Sequence, residues 1–228
     1  MENQTNKGKK LALILGGYIG FALIAWAVVS GASAGFDNAV RDFIIGLRSD
    51  VLNALLVPVA YSGNAFLVTP ICLLLLILPR TRFAYGIPVS SSVLTAQAFY
   101  NVLKRIFQRE RPDWSMHLVK EHGFSFPSGH SITSFMMFAM LAALILYYYA
   151  NEGNSLPVYR KKPRDTKAYF KTKKGAYTAA WLCIFYILLM GFTRVYVGVH
   201  WPTDVLASWC LGTASLAWLI PLFLKPRD

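Results

Sequence analysis

Three short clusters of polar residues have the side chains that bind phosphate and transfer it. The first is Lys104 with Arg111-Pro112, the second is Pro127-Ser128-Gly129-His130, and the third is Arg194 with His200 and Asp204. The cations of the first and third clusters would neutralise phosphate oxygens, and the arginine guanidinium matches phosphate geometry. The three clusters together therefore predict a phosphate site.

The second cluster predicts the start of a helix that binds an anion. Serine is a common helix N-cap, and the first backbone N–H groups of a helix have no partner within it. Such N–H groups bind phosphate, and a glycine lets the backbone approach the ligand closely. We therefore expect the amides of Ser128, Gly129 and His130 to bind the phosphate.

The two histidines suggest nucleophilic catalysis with a proton donor. Asp204 follows His200 by four residues, so its carboxylate can hold one ring nitrogen of His200 and direct the other at a substrate. His130 could then protonate the departing alcohol. The sequence shows no Asp, Glu and His cluster with metal-ligand spacing, so we expect no metal and no cofactor.

The elements that must position these residues are long uncharged segments. They cover residues 11–36, 51–79, 83–103, 123–151, 175–193 and 205–224. The shortest has 19 residues, close to the roughly 20 that a helix needs to cross a bilayer. The fold class predicted is all-α, an integral membrane bundle of six transmembrane helices in one domain, residues 1–228. The predicted crossings are approximately 11–30, 64–79, 83–103, 129–149, 176–195 and 203–224.

A short interfacial helix is predicted at residues 38–48, on the extracytoplasmic side. Val40, Phe43, Ile44 and Leu47 follow the i, i+3, i+4, i+7 spacing of an apolar helix face. A plain connecting loop is the alternative.

The positive charge is distributed as in a membrane protein rather than a nucleic-acid-binding one. The formal charge is +12, and 15 of the 23 basic residues lie in four segments on one side of the predicted crossings. These segments are Lys7 to Lys10, Arg80 to Arg82, Arg160 to Lys174, and Lys225 to Arg227. The positive-inside rule makes that side cytoplasmic. Both termini are then cytoplasmic, the three clusters are extracytoplasmic, and the basic loop 151–175 contacts anionic lipid. We expect no nucleic-acid partner.

The three clusters resemble the three signature motifs of the type 2 phosphatidic acid phosphatase superfamily. The matching residues are Lys104-x6-Arg111-Pro112, Pro127-Ser128-Gly129-His130 and Thr193-Arg194-x5-His200-x3-Asp204. The resemblance implies a metal-independent phosphatase of the cell membrane that forms a phosphohistidine intermediate. By motif position it implies His200 as nucleophile, Asp204 as its partner and His130 as general acid. On the same basis the phosphate ligands are Lys104, Arg111, Ser128, Gly129 and Arg194.

One position departs from the superfamily pattern. The third motif usually begins with Ser-Arg, whereas this chain has Thr193 before Arg194. Threonine keeps the hydroxyl, so Thr193 remains a candidate for a hydrogen bond in the site.

The resemblance and the chain's size favour the bacterial branch of the superfamily and a lipid phosphate substrate. The first choice of reaction is phosphatidylglycerophosphate to phosphatidylglycerol. Hydrolysis of undecaprenyl diphosphate is the alternative, and phosphatidic acid would be a side substrate. A non-catalytic protein that binds or transfers lipid phosphates is the alternative from another class. The oligomeric state is not predicted.

Seven polar residues near the first motif receive no role from the sequence. Most are expected to be solvated or to contact lipid headgroups: Arg105, Arg109, Glu110, Asp113, His117, Glu121 and His122.

Overall fold

Every regular element described in the computed structural model is helical. The structure describes residues 2–150 and 172–224. Within these ranges there are eight α-helices, a π-helical turn at Arg82–Gly86 and a 3-10 turn at Trp114–Met116. The α-helices are α1 Glu2–Val29, α2 Ala34–Gly46, α3 Asp50–Ser62, α4 Ala65–Ile77, α5 Ile87–Phe107, α6 Gly129–Ala150, α7 Lys173–Tyr196 and α8 Pro202–Phe223. The all-α prediction is confirmed for the described residues.

Four of the described helices are long and apolar enough to cross a membrane, namely α1 from Lys7 onwards, α6, α7 and α8. The pair α2 and α3, which is bent by 120°, would make a fifth span if it is counted as one. Helix α4 has 13 residues, fewer than the roughly 20 that a straight crossing needs. The described structure thus shows four or five candidate spans, where the sequence predicts six.

Large apolar side chains cover the outside of the bundle. Trp26 on α1 is 67% exposed, and Trp181 and Leu182 on α7 are 65% and 62% exposed. Apolar surface of this extent is unfavourable in water and suits the hydrocarbon of a bilayer. The protein is therefore embedded in a membrane.

Helix α6 lies at the centre of the bundle and packs against α5, α7 and α8. Ile132, Met136, Met140 and Leu144 are each fully buried and recur every four residues, so they form one stripe of the helix. This packing fixes the position of the N-terminus of α6, which begins at Gly129.

Helices α1 and α8 pack closely along their length. A Cβ atom added at Gly17 would lie 2.7 Å from the carbonyl oxygen of Cys210. A larger residue at position 17 would therefore push α1 away from α8.

Between residues 34 and 77 the chain folds into three short helices, α2, α3 and α4. In α2 the polar residues Asp37 and Arg41 are buried, while Phe43 is 69% exposed. A helix therefore covers most of the segment 38–48, and Arg41 within it is turned towards the protein.

The predicted basic loop 151–175 lies outside the described residues as far as residue 171. Lys225 and Arg227 of the fourth basic segment lie outside them as well.

Candidate active site

One cavity brings together residues from all three clusters. It has a volume of about 270 Å³, and its lining includes Lys104, Arg111, Gly129, His130 and His200. These residues come from the last turn of α5, the loop after it, the start of α6 and the turn between α7 and α8. Residues far apart in the sequence therefore share one pocket at one end of the bundle.

The turn between α7 and α8 holds His200 against Asp204. Pro202 is the first residue of α8, where its missing N–H costs no hydrogen bond, and Asp204 lies in the first turn. The Nδ1 atom of His200 is 3.1 Å from Oδ2 of Asp204, and that oxygen also accepts a 2.9 Å hydrogen bond from the Trp201 amide. A carboxylate can only accept here, so Nδ1 carries the hydrogen and Nε2 keeps a free electron pair.

The surroundings of His200 favour its neutral form. The side chain is only 1% exposed. Burial lowers the pKa of His200 well below its usual value, and the charges of Arg111, Lys104 and Arg194 lower it further. A neutral imidazole with an unprotonated Nε2 is the form that can attack phosphorus.

Arg111 is held in place by one carbonyl of the turn between α7 and α8 and one of the loop that follows it. Its Nη1 donates to the Val199 carbonyl at 2.7 Å, and its Nε donates to the Gly123 carbonyl at 2.9 Å. The same Nη1 lies 3.2 Å from Nε2 of His200. These contacts fix a cation beside the nitrogen of His200 that carries no hydrogen.

Lys104 is held in the same manner, because its Nζ donates to the Phe124 carbonyl. Fixed cations of this kind stabilise charge on a phosphoryl group without reorganising during the reaction.

Arg194 is buried behind an acidic residue, Glu121. Its Nη2 pairs with the Glu121 carboxylate, and its Nε is buried with no acceptor among the described residues. Glu121 lines the cavity, and its carboxylate lies 3.8 Å from Nη2 of Arg111 and 3.7 Å from Nδ1 of His130. An anion of the chain itself is therefore bound among the cations predicted to hold phosphate.

Ser128 connects the start of α6 to α8. It is fully buried, and its N–H donates to the Asp204 carbonyl at 3.3 Å. Its Oγ accepts a 2.9 Å hydrogen bond from the Ser131 hydroxyl. The role of Ser128 as a phosphate ligand stays a prediction.

Thr193 and Gly129 also have identifiable local roles. Thr193 is fully buried, and its hydroxyl donates to the Met190 carbonyl at 2.8 Å, within α7. Gly129 lines the cavity, and a Cβ added there would lie 3.3 Å from the ring of Tyr100. The glycine therefore lets the ring pack closely on the first turn of α6.

The sequence missed a network behind Asp204. The Nη1 of Arg109 donates to Oδ1 of Asp204 at 2.6 Å, and its Nη2 donates to Oδ2 of Asp37 at 2.6 Å. Asp37 also accepts from the amide of Thr203 at 2.9 Å and from its hydroxyl at 2.8 Å. A continuous chain of charged groups thus connects α2 to His200.

The interpretation of Arg109 and Glu121 as solvated or lipid-contacting residues is therefore wrong. Asp37 belongs to none of the three motifs, and its partner Arg109 lies 72 residues away in the sequence. The sequence contains no signal for this network, because Arg109 and Arg111 lie two residues apart in a segment without helical structure, where such residues are expected to share a face.

Membrane helices that place two histidines and several cations around one cavity define an integral-membrane phosphatase. The chain belongs to the PAP2 superfamily, whose family model matches residues 85–228. The predicted resemblance and the predicted enzyme class, a lipid phosphate phosphatase, are both confirmed.

Among curated proteins the chain is similar to phosphatidylglycerophosphatase B of Bacillus subtilis, with 28% identity over 86% of this chain and 87% of that protein. It is also similar to undecaprenyl-diphosphatase of Sulfolobus acidocaldarius, with 29% identity over 78% of this chain and 74% of that protein. Among solved structures it resembles the PAP2-type phosphatidylglycerolphosphate phosphatase of Bacillus subtilis. That match has a TM-score of 0.73 and 22% identity, and it covers 92% of this chain and 94% of the other. At this identity the structural match shows a shared fold.

Proposed function

We propose that this protein hydrolyses phosphatidylglycerophosphate to phosphatidylglycerol and phosphate at the extracytoplasmic face of the cell membrane. The observation that carries the proposal is the buried pair of His200 and Asp204, 3.1 Å apart, at the edge of a cavity lined by Lys104 and Arg111. Such a pair supplies a nucleophile, and the cations supply charge for a phosphoryl group.

The reaction takes two steps with His200 as nucleophile. In the first, Nε2 of His200 attacks phosphorus, the bond from phosphorus to the glycerol oxygen breaks, and His130 gives a proton to that oxygen. In the second, water attacks the phosphohistidine, His130 takes a proton from the water, and inorganic phosphate leaves. Lys104, Arg111 and Arg194 neutralise the phosphoryl oxygens, and neither a metal nor a cofactor takes part.

The choice of lipid has support from similarity and from the cavity wall. The similarity to the Bacillus subtilis phosphatidylglycerophosphatase B extends over 86% of this chain. Gln97 and Asn101 line the cavity on α5, about two turns and one turn before Lys104 respectively. Their amide groups can hydrogen-bond the hydroxyl of a glycerol headgroup, which a prenyl diphosphate lacks.

Undecaprenyl diphosphate is the second candidate substrate. The relative in Sulfolobus acidocaldarius named undecaprenyl-diphosphatase covers 78% of this chain. The same two steps would cleave the bond between the two phosphates. Here the leaving group is a phosphate, which needs less help from His130 than an alcohol does.

The proposed topology has six crossings, with both termini in the cytoplasm and the active site outside. The C-termini of α5 and α7 and the N-termini of α6 and α8 meet at the cavity, which agrees with helices that cross in alternate directions. We propose α2 as the interfacial helix, because Phe43 is exposed while Asp37 and Arg41 are buried. The basic loop would contact anionic lipid on the cytoplasmic side.

Phosphate release by the purified protein in detergent and excess EDTA tests the proposed function. The substrates are phosphatidylglycerophosphate, undecaprenyl diphosphate and phosphatidic acid, and the blank is the His200→Ala variant. We expect EDTA-insensitive release that depends on His200 and has its highest kcat/KM with phosphatidylglycerophosphate. A higher kcat/KM with undecaprenyl diphosphate would reassign the substrate. Binding of all three without release would establish the non-catalytic alternative.

The dependence of kcat/KM on pH should be bell-shaped, with its acid limb below the usual histidine range. Because burial and nearby cations lower the pKa of His200, the nucleophile stays neutral as the pH falls through about 6.5, where a free histidine is half protonated. On the alkaline side the rate should fall as His130 loses the proton it donates. The measurement is kcat/KM from pH 5 to 9 with a soluble phosphate monoester, repeated with His117→Gln and His122→Gln as controls. A rate that is flat across this range would contradict the two roles.

Replacing Glu121 with glutamine should strengthen the binding of inorganic phosphate. The carboxylate of Glu121 pairs with Arg194 and lies near Arg111, so it competes with phosphate for both cations. A partly exposed ion pair contributes roughly 1 kcal/mol. Its removal should therefore lower the inhibition constant of phosphate by about 3- to 10-fold. Product inhibition of the Glu121→Gln variant measures this constant.

The matched control for that variant is Glu110→Gln, which removes an exposed carboxylate from the same loop. We expect its inhibition constant to equal that of the wild type. An unchanged constant in Glu121→Gln would show that this carboxylate does not compete for the phosphate position.

A further inference from the structure

Asn64 occupies a helix N-cap without capping the helix. It precedes α4, with φ −68° and ψ 149°, and its side chain makes no hydrogen bond to that helix. Asparagine is favoured at N-caps because its oxygen accepts from the next backbone N–H groups. Here the oxygen Oδ1 instead lies 2.6 Å from Nε2 of His130 on α6. The side chain of Asn64 therefore contacts a histidine of the site and does not cap α4.

The residues between α3 and α4 pack closely against His130. A Cβ atom added at Gly63 would lie 2.9 Å from Cδ2 of His130 and 2.9 Å from Cε of Met190, so only glycine lets the backbone pass. The preceding residue, Ser62, shares a 2.6 Å hydrogen bond with Tyr186 of α7 between their hydroxyl groups. Contacts of the two residues before Asn64 thus help to hold it against His130.

The contact assigns the two ring nitrogens of His130. With Oδ1 of Asn64 as acceptor, Nε2 carries a hydrogen, and Nδ1 is left as the nitrogen that exchanges a proton. Nδ1 lies 3.7 Å from the carboxylate of Glu121, which marks the position where an anion binds among the cations. The nitrogen that faces this position is therefore the one free to donate.

We propose that Asn64 is a positioning residue for the general acid of the reaction, an inference that rests on the proposed function. Its oxygen holds Nε2–H and directs Nδ1 at the oxygen of the leaving alcohol. As the bond from phosphorus to that oxygen breaks, the proton moves from Nδ1 to the oxygen, and His130 is left neutral with Nε2–H still bonded to Asn64. The hydrogen bond is thus kept before and after the transfer.

Leaving-group dependence separates this role from a structural one. The leaving group of dioctanoyl phosphatidic acid is an alcohol, which needs a proton as it departs. The leaving group of p-nitrophenyl phosphate is a stable phenolate, which does not. General acid catalysis contributes about 10²- to 10⁴-fold, so we expect Asn64→Ala to lower the rate of the first step on phosphatidic acid, measured as diacylglycerol release in a single turnover, by roughly 10- to 100-fold. With p-nitrophenyl phosphate the burst of p-nitrophenolate also reports the first step alone, without the water attack that uses His130 again. In the same variant this burst rate should stay within about 3-fold of the wild type, because the nucleophile is unaffected.

Two further variants distinguish the role of Asn64 as a hydrogen-bond acceptor for His130 from its role as the N-cap of α4. Asn64→Asp keeps both an N-cap and an acceptor oxygen of the same length, and it should retain activity on phosphatidic acid. Asn64→Ser keeps a strong N-cap but is too short to reach His130, and it should lose activity as Asn64→Ala does. Wild-type activity in Asn64→Ser, or equal losses on both substrates in Asn64→Ala, would overturn the proposal. A loss in Asn64→Asp as large as that in Asn64→Ala would overturn it too.

The His130→Ala variant tests the proposed function apart from Asn64. Its first step should slow selectively on phosphatidic acid, and adding Asn64→Ala to it should cause no further loss, because both residues act on one proton. A full additional loss in the double variant would overturn the role of Asn64 alone. Equal losses in the first-step rate on both substrates in His130→Ala, or a wild type inactive on both, would overturn the proposed function and this inference with it.

Discussion

Replacing His200 with alanine should abolish lipid phosphate hydrolysis while phosphate binding survives. In the proposed mechanism His200 supplies the attacking nitrogen, so its loss should lower kcat by roughly 10³-fold or more. Arg111 would lose its contact with His200, but Lys104, Arg111 and Arg194 keep their hydrogen bonds to backbone carbonyls of other residues, so the affinity for inorganic phosphate should change little. Two measurements check this result, namely steady-state phosphate release and the rise in melting temperature on adding phosphate.

The matched control is His122→Ala, because His122 also lines the cavity and loses the same imidazole. We expect it to keep most of the wild-type activity. Brief exposure of the wild type to a radiolabelled lipid phosphate should also leave acid-labile label on the protein, and His200→Ala should carry none. Full activity in His200→Ala would move the nucleophile to another residue.

Replacing Arg109 with methionine should damage both stability and turnover. Asp204 and Asp37 are 0% and 1% exposed, and Arg109 pairs with both. Removing one partner of a buried ion pair costs about 3–5 kcal/mol, because a charge is left without compensation. Asp204 would also lose a hydrogen bond that fixes its orientation towards His200, and such a misplacement should lower kcat roughly 10- to 100-fold. Thermal unfolding in detergent and steady-state kinetics measure the two effects.

The control for Arg109 is Arg105→Met, which removes an exposed arginine from the last turn of α5. It should leave both the melting temperature and kcat near the wild-type values. Asp37→Asn should fall between the two variants, since Arg109 keeps its bond to Asp204. If kcat in Arg109→Met remained at the wild-type value while the melting temperature fell, Arg109 would contribute to stability alone.

Several features follow from the sequence because they depend on neighbouring residues. A helix was expected to open at the Ser-Gly-His turn, and α6 begins at Gly129. Pro202 is the first residue of α8, a position that proline favours. The four-residue spacing of His200 and Asp204 places their side chains within hydrogen-bond distance at that helix start. Local geometry alone fixes these relations.

Other features could not be predicted because they join residues that are distant in the sequence. Glu121 and Arg194 are 73 residues apart, and Asn64 and His130 are 66 apart. A polar residue in a loop looks the same in sequence whether it meets water or a buried partner. Only the path of the loop between α5 and α6 decides which case holds.

The number of membrane spans is a second feature that the sequence alone could not predict. Uncharged segments predict where helices lie, but α2, α3 and α4 are each only 13 residues long. Their bends place Asp37 beside Arg109 and Asn64 beside His130.

By itself the sequence determined the membrane-embedded helical class, the superfamily and the motif residues that we propose bind phosphate or attack it. Hydrophobic length and short-range spacing carry that information. The tertiary structure alone decided which charges are buried together, namely Arg109 with two carboxylates and Glu121 with Arg194. A buried charge needs a partner, and that partner is supplied by packing between helices that the local sequence does not specify.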